Sequence, residues 1–316
     1  MNPTTARHTL CLDIGGTKIA AGLAEPSGAL VYTATRPTPV DDGAEAVWAA
    51  VAAMITDALD AAGGAVSGVG IASAGPVDLA SGTVSPINIA CWRGFPLRER
   101  VAAMIPGIPV APRVPVRLGG DGVCMALGEH WLGAGRRARF LLGMVVSTGV
   151  GGGLVLDGAP YDGRTGNAGH VGHVVVEPDG RPCACGGRGC VETVASGPSM
   201  ARWAAEHGWS APPGAGAKEL AQAAAGGDAL ALAAFRRAAT ALAAMIASVA
   251  AVCDLDLVVI GGGVAKSGDL LFGPLRAALS GYAGLSFVSG VRVVPAELGG
   301  EAGLAGAARL ASITRV

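Results

Sequence analysis

Runs of apolar residues alternate with glycine-rich breaks along the chain, and the period of each run predicts its element. Residues 9–14, Thr-Leu-Cys-Leu-Asp-Ile, predict a buried strand. It leads straight into Gly15-Gly16-Thr17-Lys18, a tight glycine turn. Residues 19–24 and 29–35 continue as strands, with Pro26-Ser27-Gly28 as the turn between them. The opening is therefore an antiparallel meander rather than strand–loop–helix. Residues 44–62 predict a long Ala-rich helix stopped by Gly63-Gly64. Residues 66–73 predict another buried strand, 75–96 a Pro-rich irregular stretch, and 97–104 a short helix.

A second half begins at Asp121. Residues 122–132 read as helix and 140–147 as strand. Gly149-Val150-Gly151-Gly152-Gly153 then reads as a turn, followed by a strand over 154–157. Strand, glycine turn, strand repeats the plan of the first thirty residues, so each half is expected to be built on a similar sheet. Helices are predicted over 199–206, 217–225 and 228–252. A strand at 255–260 runs into Gly261-Gly262-Gly263, and a strand at 291–294 and a helix at 300–310 close the chain. Alternating strands and helices predict stacked α/β layers. The segment 211–216 reads as a surface loop, not a domain linker.

Composition narrows the function. Hydrophobic residues make up 51% of the 316 and charged residues 15%, which supplies a core and argues against disorder. Net charge is -1 with no run of Lys or Arg, so neither a nucleic-acid nor a membrane surface is expected. A small ligand held in a pocket fits better. Residues 1–8 are polar and lack the apolar centre of a signal peptide. The most apolar helical stretch, 240–253, falls short of the roughly 20 residues a bilayer requires. The expectation is a soluble, cytoplasmic protein. Of the seven cysteines, Cys11, Cys91, Cys124 and Cys253 stand isolated in apolar contexts, whereas three crowd into residues 183–190. That distribution predicts a metal knot plus buried thiols, not a disulfide scaffold.

His173, Cys183, Cys185 and Cys190 supply one imidazole and three thiolates, a complete tetrahedral shell for Zn²⁺. With four protein ligands no position stays open, so the metal is structural. Gly180, Gly186, Gly187 and Gly189 let the backbone fold tightly enough for the sulfurs to converge. Asp13-Ile14-Gly15-Gly16-Thr17-Lys18 can cradle a phosphate with backbone N–H groups and the Thr17 hydroxyl, although it matches neither the Walker nor the dinucleotide spacing. Residues 147–153, containing Thr148, Gly149, Gly151 and Gly152, make a second such turn, and Gly261, Gly262 and Gly263 a third. Three turns, each after a strand, point to a nucleotide cleft between two halves. Asp121 opens a helix between two glycines; it can take a proton from a sugar hydroxyl, or serve as an ordinary helix cap. His170 precedes His173 by three residues and is a candidate ligand-facing group.

Together these segments resemble the ROK (repressor, ORF, kinase) sugar kinases of the actin-like ATPase superfamily, over nearly the whole chain. The zinc signature from Gly169 through Gly172-His173 to Cys183-Ala184-Cys185-Gly186-Gly187-Arg188-Gly189-Cys190-Val191-Glu192 carries the resemblance most specifically. Residues 13–18 and 147–153 resemble the family's phosphate loops, Gly261–Gly263 its adenosine-contacting turn, and 301–308 its C-terminal helix. The resemblance implies two α/β domains, 1–120 with 297–316 and 121–296, flanking a central cleft. It implies ATP and Mg²⁺ against the glycine turns, with Asp13 near the metal through water. It implies Asp121 as general base toward a 6-hydroxyl, and a sugar touched by Asn88, Glu192, zinc-bound His173 and the Ala74-Gly75 segment. A homodimer is implied as well.

Two positions depart from a glucokinase. His170 stands where those members carry Glu, in a pattern similar to bacterial N-acetylmannosamine kinases, and Gly120 replaces an Asn before the catalytic Asp. A lost hydrogen bond to a buried hydroxyl costs on the order of 1–3 kcal/mol, so an amino- or acylaminohexose is the expected substrate and glucose the alternative. Family regulators carry an N-terminal helix-turn-helix domain, for which the first glycine turn at Gly15 leaves no room. A sugar-binding protein without catalysis is the other alternative; Asp121 argues against it, Gly120 for it.

Overall fold

The computed structural model describes residues 8–105, 115–212 and 214–313. The stretch before His8 lies outside them, as does Pro213 of the expected loop at 211–216. The meander is present as β1 (Thr9–Ile14), β2 (Lys18–Ala24) and β3 (Leu30–Pro37). Helix α1 (Ala44–Ala61) buries Val47, Val51, Met54, Ile55 and Ala58, a spacing that gives one apolar stripe. β4 (Gly68–Ser73) is buried throughout. The stretch read as irregular contains a small hairpin, β5 (Val77–Asp78) with β6 (Thr83–Val84). Next come α2 (Leu97–Met104), β7 (Val116–Gly120) and α3 (Asp121–Leu132). The repeat opens with β8 (Phe140–Val146), β9 (Val150–Leu156) and β10 (Ala159–Tyr161). It continues with α4 (Glu192–Ala195), α5 (Gly197–Glu206), α6 (Ala217–Ala225) and α7 (Ala229–Cys253). β11 (Leu257–Gly261), α8 (Asp269–Tyr282), α9 (Ser286–Ser289), β12 (Arg292–Pro295) and α10 (Ala302–Ser312) complete the chain.

The internal repeat is realised as topology. One sheet has the order β3-β2-β1-β4-β7 and the other β10-β9-β8-β11-β12. In both, a hairpin (β1 with β2, β8 with β9) is extended by two parallel strands. The chain divides into two compact units. One runs to Arg136 and takes in Pro160–Ala168 and the residues from Gly300; the other holds Arg137–Ala159 and Gly169–Gly299. Each has its own apolar core, around Leu12, Ile71 and Trp92 in the first and around Met144, Phe235 and Leu271 in the second.

Helix α3 belongs to the first unit, although the sequence reading opens the second half at Asp121. Backbone contact with α10 holds it there. Gly128 lies against the Ala302 carbonyl and Gly306 against the Cys124 carbonyl, while Gly70 of β4 meets the Ala307 carbonyl; a Cβ at any of the three would overlap backbone. Backbone cannot rotate away as a side chain can, so the strain of an added side chain has no cheap relief. Gly306→Val is expected to cost at least about 3 kcal/mol, read as the shift of the urea unfolding midpoint. Gly120→Val serves as control, because nothing lies within 4 Å of a Cβ there.

The structure departs from the sequence reading in three places. Gly151, Gly152 and Gly153 do not form a turn; they sit within β9, opposite Val145, Met144 and Gly143. The turn is Ser147-Thr148-Gly149, closed by Ser147 N donating to the Gly149 carbonyl at 2.8 Å. Glycine is required at 152 for clearance: a Cβ would come within 2.9 Å of both the Gly143 carbonyl and the Val171 side chain. Second, the sequence reading assigns no element between Gly263 and residue 291, whereas α8 lies there with Pro274 inside it. Third, the helix expected over 228–252 is present as α7, but its apolar length is not confined to 240–253. α7 runs 25 residues and is the one helix, among the described residues, long and apolar enough to cross a membrane. Its Ala231, Phe235, Leu242, Met245 and Ile246 are instead buried in the core of the second unit.

Candidate active site and metal centre

In the first unit the candidate chemistry collects at the carboxyl ends of the parallel strands β1, β4 and β7. Asp13 is the penultimate residue of β1, Ala74-Gly75 leaves β4, and Asp121 follows β7 as the first residue of α3. The pairing aligns them: Asp13 lies opposite Ala72, and Ser73 opposite Gly120. In open parallel sheets this is the end where loops splay apart and ligands bind. Burial pushes the Asp13 carboxyl up to about 6, the Asp121 carboxylate adds to the rise, and Lys18 opposes it. The two carboxylates therefore feel each other directly. Gly303, in the first turn of α10, presses against an Asp13 oxygen and has no room for a side chain. Asp121 is exposed, with Oδ1 accepting from the Gly122 N–H at 2.7 Å.

The raised Asp13 value has a consequence for stability. A carboxyl at about 6 in the folded protein and near its ordinary 3.8 when unfolded favours folding while protonated. That contribution is complete below pH 3.8 and is lost as pH rises through 6. Asp13→Asn is therefore expected to stabilise the nucleotide-free protein at pH 7.5 by about 1–3 kcal/mol, and the gain should shrink toward pH 5. Thermal unfolding of both forms across pH 5–7.5 checks this; a constant difference would refute it.

The first glycine turn is fastened from both sides. Gly15 N donates to the Lys18 carbonyl at 3.0 Å, and Thr38 donates from Oγ1 to the Gly15 carbonyl at 2.7 Å and from N to the Thr17 carbonyl at 3.1 Å. Thr38 was not singled out in the sequence; nothing marks a threonine just past a strand end as a clasp on a turn 20 residues earlier. Thr17 and Lys18 stay exposed. The Asn88 side chain lies against Gly16: a Cβ on Gly16 would stand 2.6 Å from Asn88 Cγ. Ile87 N donates to the Gly75 carbonyl at 3.3 Å, so Gly75 and Asn88 occupy adjoining loops.

In the second unit, the second and third glycine turns leave the carboxyl ends of β8 and β11. Gly262, at φ +97°, packs on the backbone of Val146, and Val264 N donates to the Val146 carbonyl at 3.0 Å. A Cβ on Gly263 would lie 3.5 Å from Ser147 Oγ, so the two turns are neighbours. Gly151 and Gly152, being in β9, are not part of them. Glu192 buttresses the second turn: Oε2 accepts from Val150 N at 2.8 Å and occupies the space a Cβ on Gly149 would need. One oxygen of this candidate sugar ligand is thus committed to the glycine turn.

The four candidate metal ligands converge, all ligand atoms lying within 4.8 Å of one another. Cys185 Sγ and Cys190 Sγ are 3.8 Å apart, and Cys183 Sγ is 3.7 Å from His173 Nδ1. A tetrahedron with Zn–S near 2.3 Å has edges of about 3.8 Å, so the donor set and its spacing fit Zn²⁺. Glycine makes the fold possible where the chain doubles back. Gly186 and Gly189 have φ of +91° and +68°, and Gly189 abuts the Glu177 carbonyl. The loop is tied down outside the cluster by Arg237, which donates to both Glu177 oxygens at 2.7 and 2.9 Å, and by an Arg181–Glu206 pair at 2.5 Å. Without a cation, burial and the neighbouring thiols push Cys190 up to about 12, while the Gly187 backbone and the other cysteines hold Cys185 below the usual thiol value. A bound dication makes all three thiolates the favoured form. Because Nδ1 faces the cluster, the Nε2 edge of His173 points away from it. His170 is exposed, its ring centroid 6.4 Å from that of His173.

Comparison with known proteins agrees with this architecture. The pattern that defines the ROK family matches residues 9–313, and the chain belongs to that family. It is 37% identical to a glucokinase of Thermotoga maritima over 313 residues, 95% of each chain. It is 35% identical to an N-acetylmannosamine kinase of Yersinia pseudotuberculosis, over 95% of this chain and 96% of the other. A Streptomyces griseus ROK glucokinase, solved with glucose and AMPPNP, superposes with a TM-score of 0.81 at 34% identity, covering 96% of this chain and 99% of that one.

Proposed function

We propose that the protein is an ATP-dependent kinase that transfers the γ-phosphoryl group to the 6-hydroxyl of a hexose. The observation that carries this reading is the Asp13–Asp121 pair at the carboxyl ends of β1 and β7, beside a glycine turn with exposed Thr17 and Lys18. The 6-oxygen attacks the γ-phosphorus, the bond to the β-phosphate oxygen breaks, ADP leaves, and the hydroxyl proton passes to the Asp121 carboxylate. The Gly15 N–H is engaged within the turn, so Gly16, Thr17 and Lys18 supply the donors to phosphate. Thr148, Gly149 and Gly261–Gly263 supply the other nucleotide contacts. Mg²⁺, when bound, neutralises phosphate charge; Asp13 suits it as an outer ligand, because a nearby cation favours the carboxylate against the burial and the Asp121 charge that raise this carboxyl. Gly75, Asn88, His170, His173 and Glu192 hold the sugar, and the zinc cluster fixes the segment bearing His173.

An N-acylaminohexose such as N-acetylmannosamine is the favoured substrate. His170 offers imidazole where a carboxylate would demand hydroxyl donors, and the space beside Gly120 is open. Glucose is the second reading, favoured by the Thermotoga and Streptomyces relatives. We place the enzyme in the cytoplasm, as a homodimer by family resemblance, with no nucleic-acid or membrane partner. Coupled assays with glucose, N-acetylmannosamine, glucosamine and 3-amino-glucose test this. Failure to phosphorylate any of them, with sugar binding intact, would favour a non-catalytic binding protein. His170→Glu is expected to shift the ratio of kcat/KM toward glucose by at least about tenfold.

A further inference from the structure

The loop that carries Asn88 has no regular secondary structure, yet its exposed tip must hold one side chain against Gly16. Ile89 and Trp92 anchor it from below, both fully buried; Trp92 Nε1 donates to the Ala44 carbonyl at 3.1 Å, and its ring stacks on Phe95 at 4.1 Å. Those anchors fix the base of the loop, and two backbone bonds lie within its turn, Ile89 N to the Pro86 carbonyl at 3.4 Å and Trp92 N to the Ile89 carbonyl at 2.9 Å. Arg93 ties the same carbonyls, and that of Trp92, together through its side chain. One guanidinium nitrogen, Nη1, donates to the Pro86 carbonyl at 2.7 Å and the Trp92 carbonyl at 2.9 Å, with the Ile89 carbonyl at 3.5 Å. Next to it Gly94, at φ +58°, donates to Ser85 Oγ at 2.9 Å and closes the loop's neck. The three carbonyls bracket Asn88 on both sides in sequence.

We propose that Arg93 is the positioning residue for Asn88: by clasping the carbonyls of Pro86, Ile89 and Trp92 it holds the Asn88 amide at Gly16, and so sets sugar affinity. This rests on the reading that Asn88 touches sugar. The guanidinium suits the task because it is always charged and its rigid plane carries Nη1 at a fixed angle among the three carbonyls, whereas a lysine ammonium sits on a shorter, flexible stem. The Asn88–Gly16 contact adds a steric link, since the loop that meets the sugar is packed on the turn that meets phosphate. Arg93 acts through Asn88 and touches neither substrate.

The test is steady-state kinetics of Arg93→Met, Arg93→Lys, Asn88→Ala and the Asn88→Ala/Arg93→Met double variant, on the best sugar from the assay above, with thermal unfolding alongside. Arg93→Met is expected to raise the sugar KM by about tenfold and leave the ATP KM unchanged. Arg93→Lys should recover only part of the loss. The double variant should be no worse than Asn88→Ala alone, since a residue acting only through Asn88 has nothing left to position. A merely structural role would move the unfolding midpoint and both KM values together, and would overturn the proposal. Additive effects in the double variant would overturn it too. If Asn88→Ala raises the sugar KM and Arg93→Met does not, the role of Arg93 falls while the Asn88 assignment stands. If Asn88→Ala is silent, both fall.

Discussion

Asp121→Asn is expected to lower kcat by about a thousandfold while sugar and ATP still bind. An amide is nearly the same size as the carboxylate, and Asn is accepted at a helix start as readily as Asp. The residue is exposed, so the exchange creates no cavity and strands no buried charge. It does remove the only group proposed to accept the hydroxyl proton. It also removes the negative charge that helps raise Asp13, so the folded protein should be no less stable, and the Asp13 carboxyl should fall only part of the way, burial still holding it up. Calorimetric titration with sugar separates lost chemistry from lost binding. Turnover within a few-fold of the native enzyme would show that the proton goes elsewhere and that the Asp13–Asp121 pair serves only as a metal site.

The parts of this site legible in the sequence are those whose chemistry is local. Cys183, Cys185 and Cys190 lie within eight residues of one another, and no fold knowledge is needed to see that three sulfurs on a glycine-rich loop can share an ion. The meander was legible because apolar runs and turn residues act over four to eight positions. Long-range closeness was not. Asp13 and Asp121 are brought together because β4 pairs with both β1 and β7, and β7 itself is hidden in a short run between Pro115 and Gly119-Gly120. Gly70, Gly128 and Gly306 look like any glycines in an Ala/Gly-rich chain; only the packed helices show that each meets a carbonyl. The run Gly151–Gly153 misled for the same reason. Glycine in sequence signals freedom of the backbone, but here it signals a neighbour too close for a side chain. Glu192 entered only through the family resemblance, and its bond to Val150 N depends on a turn 42 residues away.

Loss of the metal is expected to have the largest effect on structure. The native protein should hold one zinc ion per chain; in Cys190→Ser the chain should retain none, and the loop from Val174 to Val191 should lose its order. Cys190 is buried, and apart from the metal the loop is held by backbone bonds, such as Val191 N to the Val174 carbonyl at 2.9 Å and Cys183 N to the Gly187 carbonyl at 2.8 Å, and by the partly exposed Arg237–Glu177 and Arg181–Glu206 pairs. Hydroxyl is a poor substitute for thiolate, and the remaining three ligands bind more weakly. Structural zinc contributes on the order of 10 kcal/mol to the folding of small isolated domains; in a unit with its own core, much of that loss should stay local. Two readouts distinguish local from global loss. Protease should cut near Arg181 and Arg188 well below the unfolding temperature, and the sugar KM should rise by about 10–100-fold, because His173 loses the contact that orients its ring and Glu192 follows the loop by two residues. Cys253→Ser is the control. That cysteine lies at the end of α7, apart from the cluster, and its loss should leave metal content and KM unchanged. If Cys190→Ser keeps its zinc, the fourth ligand is not Cys190. If it loses zinc but keeps the native sugar KM, the knot steadies the loop without aiming His173, and the sugar is held by residues of the first unit instead.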